Sequence, residues 1–170
     1  EGSQYIVPTN TPLYKDGRIF TANGYGAGAF MLQLNEDASG VRLLWRNKGF
    51  DPHHGCFVLV DGIIYGSSHG RNGLGKWMAV DWNTGRTRFE MNWGKGVGEG
   101  SVIAADGMLY CSDERRGMVG LVRVNPAKFD LVSFFRITRG EGAFWAHPVI
   151  HRGILYVRHG NALMAYKIKG

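Results

Sequence analysis

One five-residue pattern, repeated four times at nearly constant spacing, predicts an all-β fold: a β-propeller of four-stranded antiparallel blades. The copies are Asp16-Gly17-Arg18-Ile19-Phe20, Asp61-Gly62-Ile63-Ile64-Tyr65, Asp106-Gly107-Met108-Leu109-Tyr110 and Arg152-Gly153-Ile154-Leu155-Tyr156, separated by 45, 45 and 46 residues. A period of that length with strand-like content is the signature of propeller blades. Composition points the same way. Glycine occupies 26 of 170 positions and proline only 5, which suits a fold of tight turns rather than long helices. Each repeat also divides into short apolar runs bounded by turn residues.

The first unit, about 11–46, reads as strands Thr11–Tyr14, Arg18–Ala22, Ala29–Leu34 and Val41–Arg46. Asp-Gly between the first two suits a two-residue hairpin, because glycine accepts positive φ. The second unit, about 55–92, gives Cys56–Val60, Ile63–Ser67, Lys76–Asp81 and Thr87–Asn92. In its third turn, Asp81-Trp82-Asn83-Thr84-Gly85, the Asp and Asn side chains can hold backbone amides. The third, about 100–137, gives Ser101–Ala105, Met108–Ser112, Val119–Val124 and Leu131–Ile137. The fourth, about 146–168, supplies only three strands: His147–His151, Ile154–Arg158 and Leu163–Ile168. Gln4–Val7 is the candidate for a closing strand, since an unpaired edge is an aggregation hazard. Leu32/Leu34, Met78/Val80, Val122/Val124 and Leu163/Ala165 recur at period two and are expected between blades, as are Trp45, Phe89 and Phe135.

The totals exclude several function classes. No apolar run approaches 18 residues, so no helical membrane span is expected. The net charge is +6, yet Lys and Arg are scattered, which speaks for a solvated basic surface and against nucleic acid. Cys56 and Cys111 are not in a CxxC pair, and no disulfide is expected between them. The glycine-rich stretch Gly94–Gly100 leads into a strand rather than a helix, so it lacks the geometry of a phosphate loop. Glu1 looks like the start of a processed chain or of a fragment.

The run Ala79-Val80-Asp81-Trp82-Asn83-Thr84-Gly85-Arg86-Thr87-Arg88-Phe89 resembles the repeat of pyrroloquinoline-quinone-like propellers: an apolar pair, Asp, a Thr-Gly turn, a basic residue and a Trp. Phe89 stands where Trp is usual, and Trp45 keeps the Trp in the first unit. His53-His54-Gly55-Cys56 and Phe144-Trp145-Ala146-His147-Pro148 look like those of an exported subgroup. The resemblance implies a bacterial periplasmic or extracellular protein. It also implies seven or eight blades in the whole ring, of which this chain supplies about four. The chain would then be half of a longer propeller, or one of two copies that share a ring, with a closed four-blade ring as a further alternative. The family includes periplasmic quinoprotein dehydrogenases and the lipoprotein scaffold of the outer-membrane β-barrel assembly machinery. Pyrroloquinoline quinone and calcium are therefore cofactors that the resemblance alone suggests. The adjacent cysteines of the dehydrogenases are missing here.

Because antiparallel strands alternate direction, inter-blade loops share a face with the loops between second and third strands. The inter-blade loops hold Asn10, His53, His54, Glu99, Trp145 and His147. The others hold Asn23, Ser68, His69, Arg71, Asp113, Glu114, Arg115, Arg158 and His159. Five of the six histidines fall on this face and His151 on the other. Aligned on the repeat, Thr11, Cys56, Ser101 and His147 are equivalent, as are Thr9, His54, Glu99 and Trp145. Equivalent positions beside the innermost strands converge on the central axis. A ligand over the channel mouth is expected to meet His53, His54, His69, Glu99, Asp113, Trp145, His147, Arg158 and His159, where polar groups converge in a concavity. The expected role is a non-catalytic binding or scaffolding module for a carbohydrate, peptide or protein partner. The alternative is a quinone-dependent dehydrogenase-like enzyme, or a piece of one, with cofactor or metal at the same face.

Overall fold

The computed structural model describes residues 9–70, 75–93 and 98–168. The candidate closing strand Gln4–Val7, Arg71 and the core of the glycine-rich stretch lie outside them. Fifteen strands form four antiparallel sheets whose order follows the chain. The first sheet is β1 (Leu13–Lys15), β2 (Arg18–Asn23), β3 (Gly28–Leu34) and β4 (Val41–Asn47). The second is β5 (Phe57–Val60), β6 (Ile63–Ser68), β7 (Lys76–Asp81) and β8 (Thr87–Met91). The third is β9 (Gly100–Ala105), β10 (Met108–Asp113), β11 (Met118–Arg123) and β12 (Asp130–Arg136). The fourth has three strands, β13 (Val149–His151), β14 (Ile154–His159) and β15 (Ala162–Lys167).

The repeat forms these elements because its turns leave little choice. Asp16, Asp61, Asp106 and Arg152 all take positive φ, between 47° and 52°, and each is followed by a glycine at 72–78°. Two successive positive φ values define the hairpin turn whose twist matches its strands. At Asp81, Oδ1 accepts from Asn83 N at 3.0 Å and from Thr84 N at 2.9 Å. Gly85 N donates back to the Asp81 carbonyl at 2.9 Å. A register shift interrupts the third strand of each complete sheet at one equivalent step, Met31/Leu32, Ala79/Val80 and Leu121/Val122. Such bulges raise local twist, as blades require.

The core consists of three separate clusters, one per sheet-to-sheet interface. The first joins Phe20, Ala22, Ala29 and Met31 to Phe57, Ile64, Met78, Val80 and Trp82. The second joins Tyr65, Trp77 and Ala79 to Val102, Leu109, Cys111, Val122 and Phe129. The third holds Tyr110 and Val119 against Leu155 and Val157. The repeated apolar–aromatic pair thus splits by strand alternation: Ile64 and Leu109 face the preceding sheet, Tyr65 and Tyr110 the following one. Large side chains also dock on glycines across the interfaces. A Cβ on Gly85 would come within 2.5 Å of the Trp45 ring, and one on Gly120 within 2.5 Å of Trp93. Trp45 Nε1 donates to the Trp82 carbonyl at 3.1 Å. Phe89 packs on the second cluster and Phe135 on the third, as expected for inter-blade aromatics.

A closed ring of four sheets would have four interfaces, and three are present among the described residues. Leu163 is 70% exposed and Val149 57% exposed. Leu163/Ala165 therefore depart from the expected inter-blade packing. Both belong to the side of the last sheet that faces away from the third cluster, and no sheet of this chain covers it. Leu32 and Leu34 are half-buried and outside the clusters for the same reason on the first sheet. Two predicted strands also start later than expected. Cys56 has φ 58° and stands before β5, and His147 precedes Pro148, which has no amide to give to a ladder.

Candidate functional site

The inner ends of the sheets meet where backbones come very close. A Cβ on Gly55 would lie 2.0 Å from the Gly100 carbonyl oxygen. The Gly55 carbonyl accepts from Val102 N at 3.3 Å, and Ser67 Oγ bridges to Gly100 O at 2.9 Å. Asn10 ties the first two inter-blade segments together. Its Nδ2 donates to the carbonyls of Pro52 and His53 at 3.1 and 2.6 Å, and its Oδ1 accepts from Cys56 N at 3.2 Å. These contacts hold the His53–Cys56 segment against the axis.

Around it lies a cluster of rings and carboxylates. Glu99 is 3% exposed. Its Oε1 accepts from Arg115 Nε at 3.0 Å, its Oε2 accepts from Gly70 N at 3.1 Å, and His69 Nδ1 sits 3.1 Å from Oε2. Glu114 stands beside it, with Oε2 3.3 Å from His54 Nδ1. Burial, then the Glu99 charge, pushes the Glu114 carboxyl up to about 7. Burial depresses the pKa of both His53 and His54, and the neighbouring imidazoles add to it. Ring centroids are 4.3 Å apart for His53 and His54, 5.2 Å for His53 and His69, and 4.7 Å for Tyr25 and His53. Trp145, 62% exposed, lies 5.1 Å from the His54 ring. His54 Nε2 is buried with no partner among the described residues.

A carboxyl whose folded pKa is raised stabilises the fold below its unfolded pKa, and that contribution is lost as pH rises through the folded value. Here the window runs from about 4.5 to about 7. Glu114→Gln is expected to remove a fall in melting temperature across that window. Thermal melts of both proteins from pH 4 to 8 check this: the curves should diverge upward in favour of the variant as pH rises.

The structure brings together six residues singled out from sequence: His53, His54, His69, Glu99, Trp145 and His147. Three others sit elsewhere. Asp113 is fully buried. Its Oδ2 accepts from the amides of Arg115 and Arg116, so it caps the β10–β11 turn, and burial raises its pKa. Arg158 is exposed and its Nε donates to the carbonyl of Gly160 at 3.0 Å. His159 is pinned between the carbonyls of Arg139 and Gly142, both at 2.8 Å, under the Phe144 ring at 3.7 Å. The last position of the second strand does the same work in another sheet: Ser68 Oγ accepts from Asp51 N at 3.0 Å and donates to Gly49 O at 2.8 Å. A polar side chain there satisfies the backbone of the adjoining loop. Two site residues escaped the sequence reading. Tyr25 carried no signal beyond its loop. Cys56 did, through its equivalence to His147.

The donor set does not fit a calcium or quinone site. Both Glu99 oxygens are taken by Arg115, Gly70 and His69, and Asp113 is spent on its own turn. No three His, Cys, Asp or Glu side chains converge as metal ligands among the described residues.

No protein-family model and no curated protein matches the sequence. Solved structures do. BamB from Moraxella catarrhalis aligns over 93% of this chain at 16% identity and TM-score 0.68, with 43% of that chain covered. The computationally designed Ika8 protein aligns over 92% at 12% identity and TM-score 0.62, with 45% covered. A europium-containing methanol dehydrogenase aligns over 72% at 17% identity and TM-score 0.58, with 23% covered. The fold is therefore a β-propeller of the pyrroloquinoline-quinone-like kind seen in BamB and methanol dehydrogenase. The chain spans less than half the length of each of these structures.

Proposed function

We propose that these four blades are part of a larger ring and serve as a non-catalytic binding module, with the channel mouth as the site for a carbohydrate, peptide or protein partner. The observation that carries this reading is Trp145. A tryptophan this exposed costs the free protein apolar surface in water, and here it overhangs His54 beside the paired carboxyl groups of Glu99 and Glu114. A flat apolar face with polar groups around it suits a sugar ring or an extended peptide. Charge pairs inside the cluster fix its geometry and leave the outer rings to the ligand.

The larger ring is inferred from the uncovered outer faces of the first and last sheets and from the coverage of the structural neighbours. Further blades of a longer chain or a second copy would supply the cover. We also infer an exported, periplasmic or extracellular location, in keeping with the family resemblance.

Glycan-array and peptide-array binding of the wild type, repeated with Trp145→Ala, tests the site. A ligand should emerge whose affinity drops about tenfold or more in the variant, as for an aromatic anchor, with an unchanged melting temperature. A ligand that binds the variant equally well would overturn the assignment of this face.

A further inference from the structure

Cys56 and His147 occupy equivalent places in the second and fourth repeats, and the curvature of the fold brings them into contact. The His147 ring lies against the Cys56 thiol, near enough to share its proton. His147 Nε2 is 2.9 Å from the His54 carbonyl oxygen. A carbonyl only accepts, so Nε2 carries a hydrogen and Nδ1 is the nitrogen left to take the thiol proton. The backbone amides of Thr11 and Phe57 also point at the sulfur, which suits a thiolate. Cys56 itself holds a positive φ of 58°, a strained setting for a non-glycine residue. It is half-buried, while His147 is exposed. Hydrogen bonding to His147 draws the Cys56 pKa down, and the same contact draws the His147 pKa up. The other titratable ring at this spot is His54, whose charge opposes that of His147.

We propose that Cys56, activated by His147, is a reactive thiol site that exchanges with low-molecular-mass disulfides. The thiolate attacks one sulfur of R–S–S–R. A Cys56–S–S–R bond forms, the original S–S bond breaks, and the departing RS⁻ takes the proton held by His147. The sum is one protein thiol and one disulfide giving one mixed disulfide and one free thiol. The chain has two cysteines, and Cys111 is buried in the second interface, where burial raises its thiol pKa. No accessible second thiol resolves the adduct, so it persists until an external thiol removes it. This site is independent of the binding reading above.

Native protein is treated with oxidised glutathione and with dithiodipyridine across pH 5–9, and adducts are followed by intact mass and peptide mapping. The expected result is a single adduct on Cys56, with a pH midpoint below the roughly 8.5 of an ordinary thiol. Cys111 should stay unlabelled until denaturant is added. In His147→Gln the midpoint should move up and the rate at pH 7 fall about tenfold, as the thiolate fraction falls. A purely structural role for His147 would change the rate without moving the midpoint. An unmoved midpoint, or no adduct on folded protein, would overturn the proposal.

Discussion

Replacing Phe20 with alanine is expected to cost the fold about 3–5 kcal/mol, the range for deleting a fully buried aromatic. Phe20 has no exposed surface and is the hub of the first interface. Its ring meets Phe57 edge-on at 4.6 Å, stacks on Phe50 at 6.1 Å, and reaches Trp45 at 5.8 Å and Trp82 at 6.5 Å. Four rigid rings cannot collapse into the space without leaving their rotamers. The equivalent residue of the fourth repeat, Tyr156, is only half-buried and lies on the uncovered side of its sheet. Tyr156→Ala should cost about 1 kcal/mol or less, in the range of surface substitutions. Urea unfolding of the two variants checks the pair. Equal losses would mean that the last sheet is covered in solution.

Gly55→Ala is the second large effect expected, and it should act on the site as well as the fold. The added Cβ would meet the Gly100 carbonyl at 2.0 Å, a backbone atom that cannot rotate away. The two inner segments must part, which breaks the Val102 N to Gly55 O bond and moves His54 and Cys56 on either side. Overpacking of this kind costs about 1–3 kcal/mol. Ligand capture at Trp145 and the selective labelling of Cys56 should both be lost while circular dichroism still reports a β fold. A variant that melts lower but keeps both would show that the mouth tolerates separation of its segments.

The blades were legible because their information is local. Turn chemistry at Asp16, Asp61, Asp106 and Arg152 and period-two patterning fix each sheet without reference to its neighbours. The sorting of loops by face was legible too, since it comes from strand direction alone. Depth was not. Asp113 and His159 lie on the predicted face, yet one is sealed beneath its own turn and the other is clamped to a loop 17–20 residues away. Side-chain direction at a strand end depends on how the adjoining loop folds back, and no local pattern carries that. The pairing of Cys56 with His147 needed the curvature of the whole arc, which spans two repeats. The open side of the last sheet, where Leu163 stands in solvent, is decided by whichever sheet docks against it, and a blade's own residues carry no record of that neighbour.

Three small cores in series, instead of one shared interior, also shape how such a molecule tolerates change. Each interface is answerable only to the two sheets that make it, so free energies add nearly link by link. A substitution in one link can be matched by a neighbour across the same link without disturbing the others. Sequences can then wander far while the architecture stands, as the 12–17% identities to well-aligned structures illustrate.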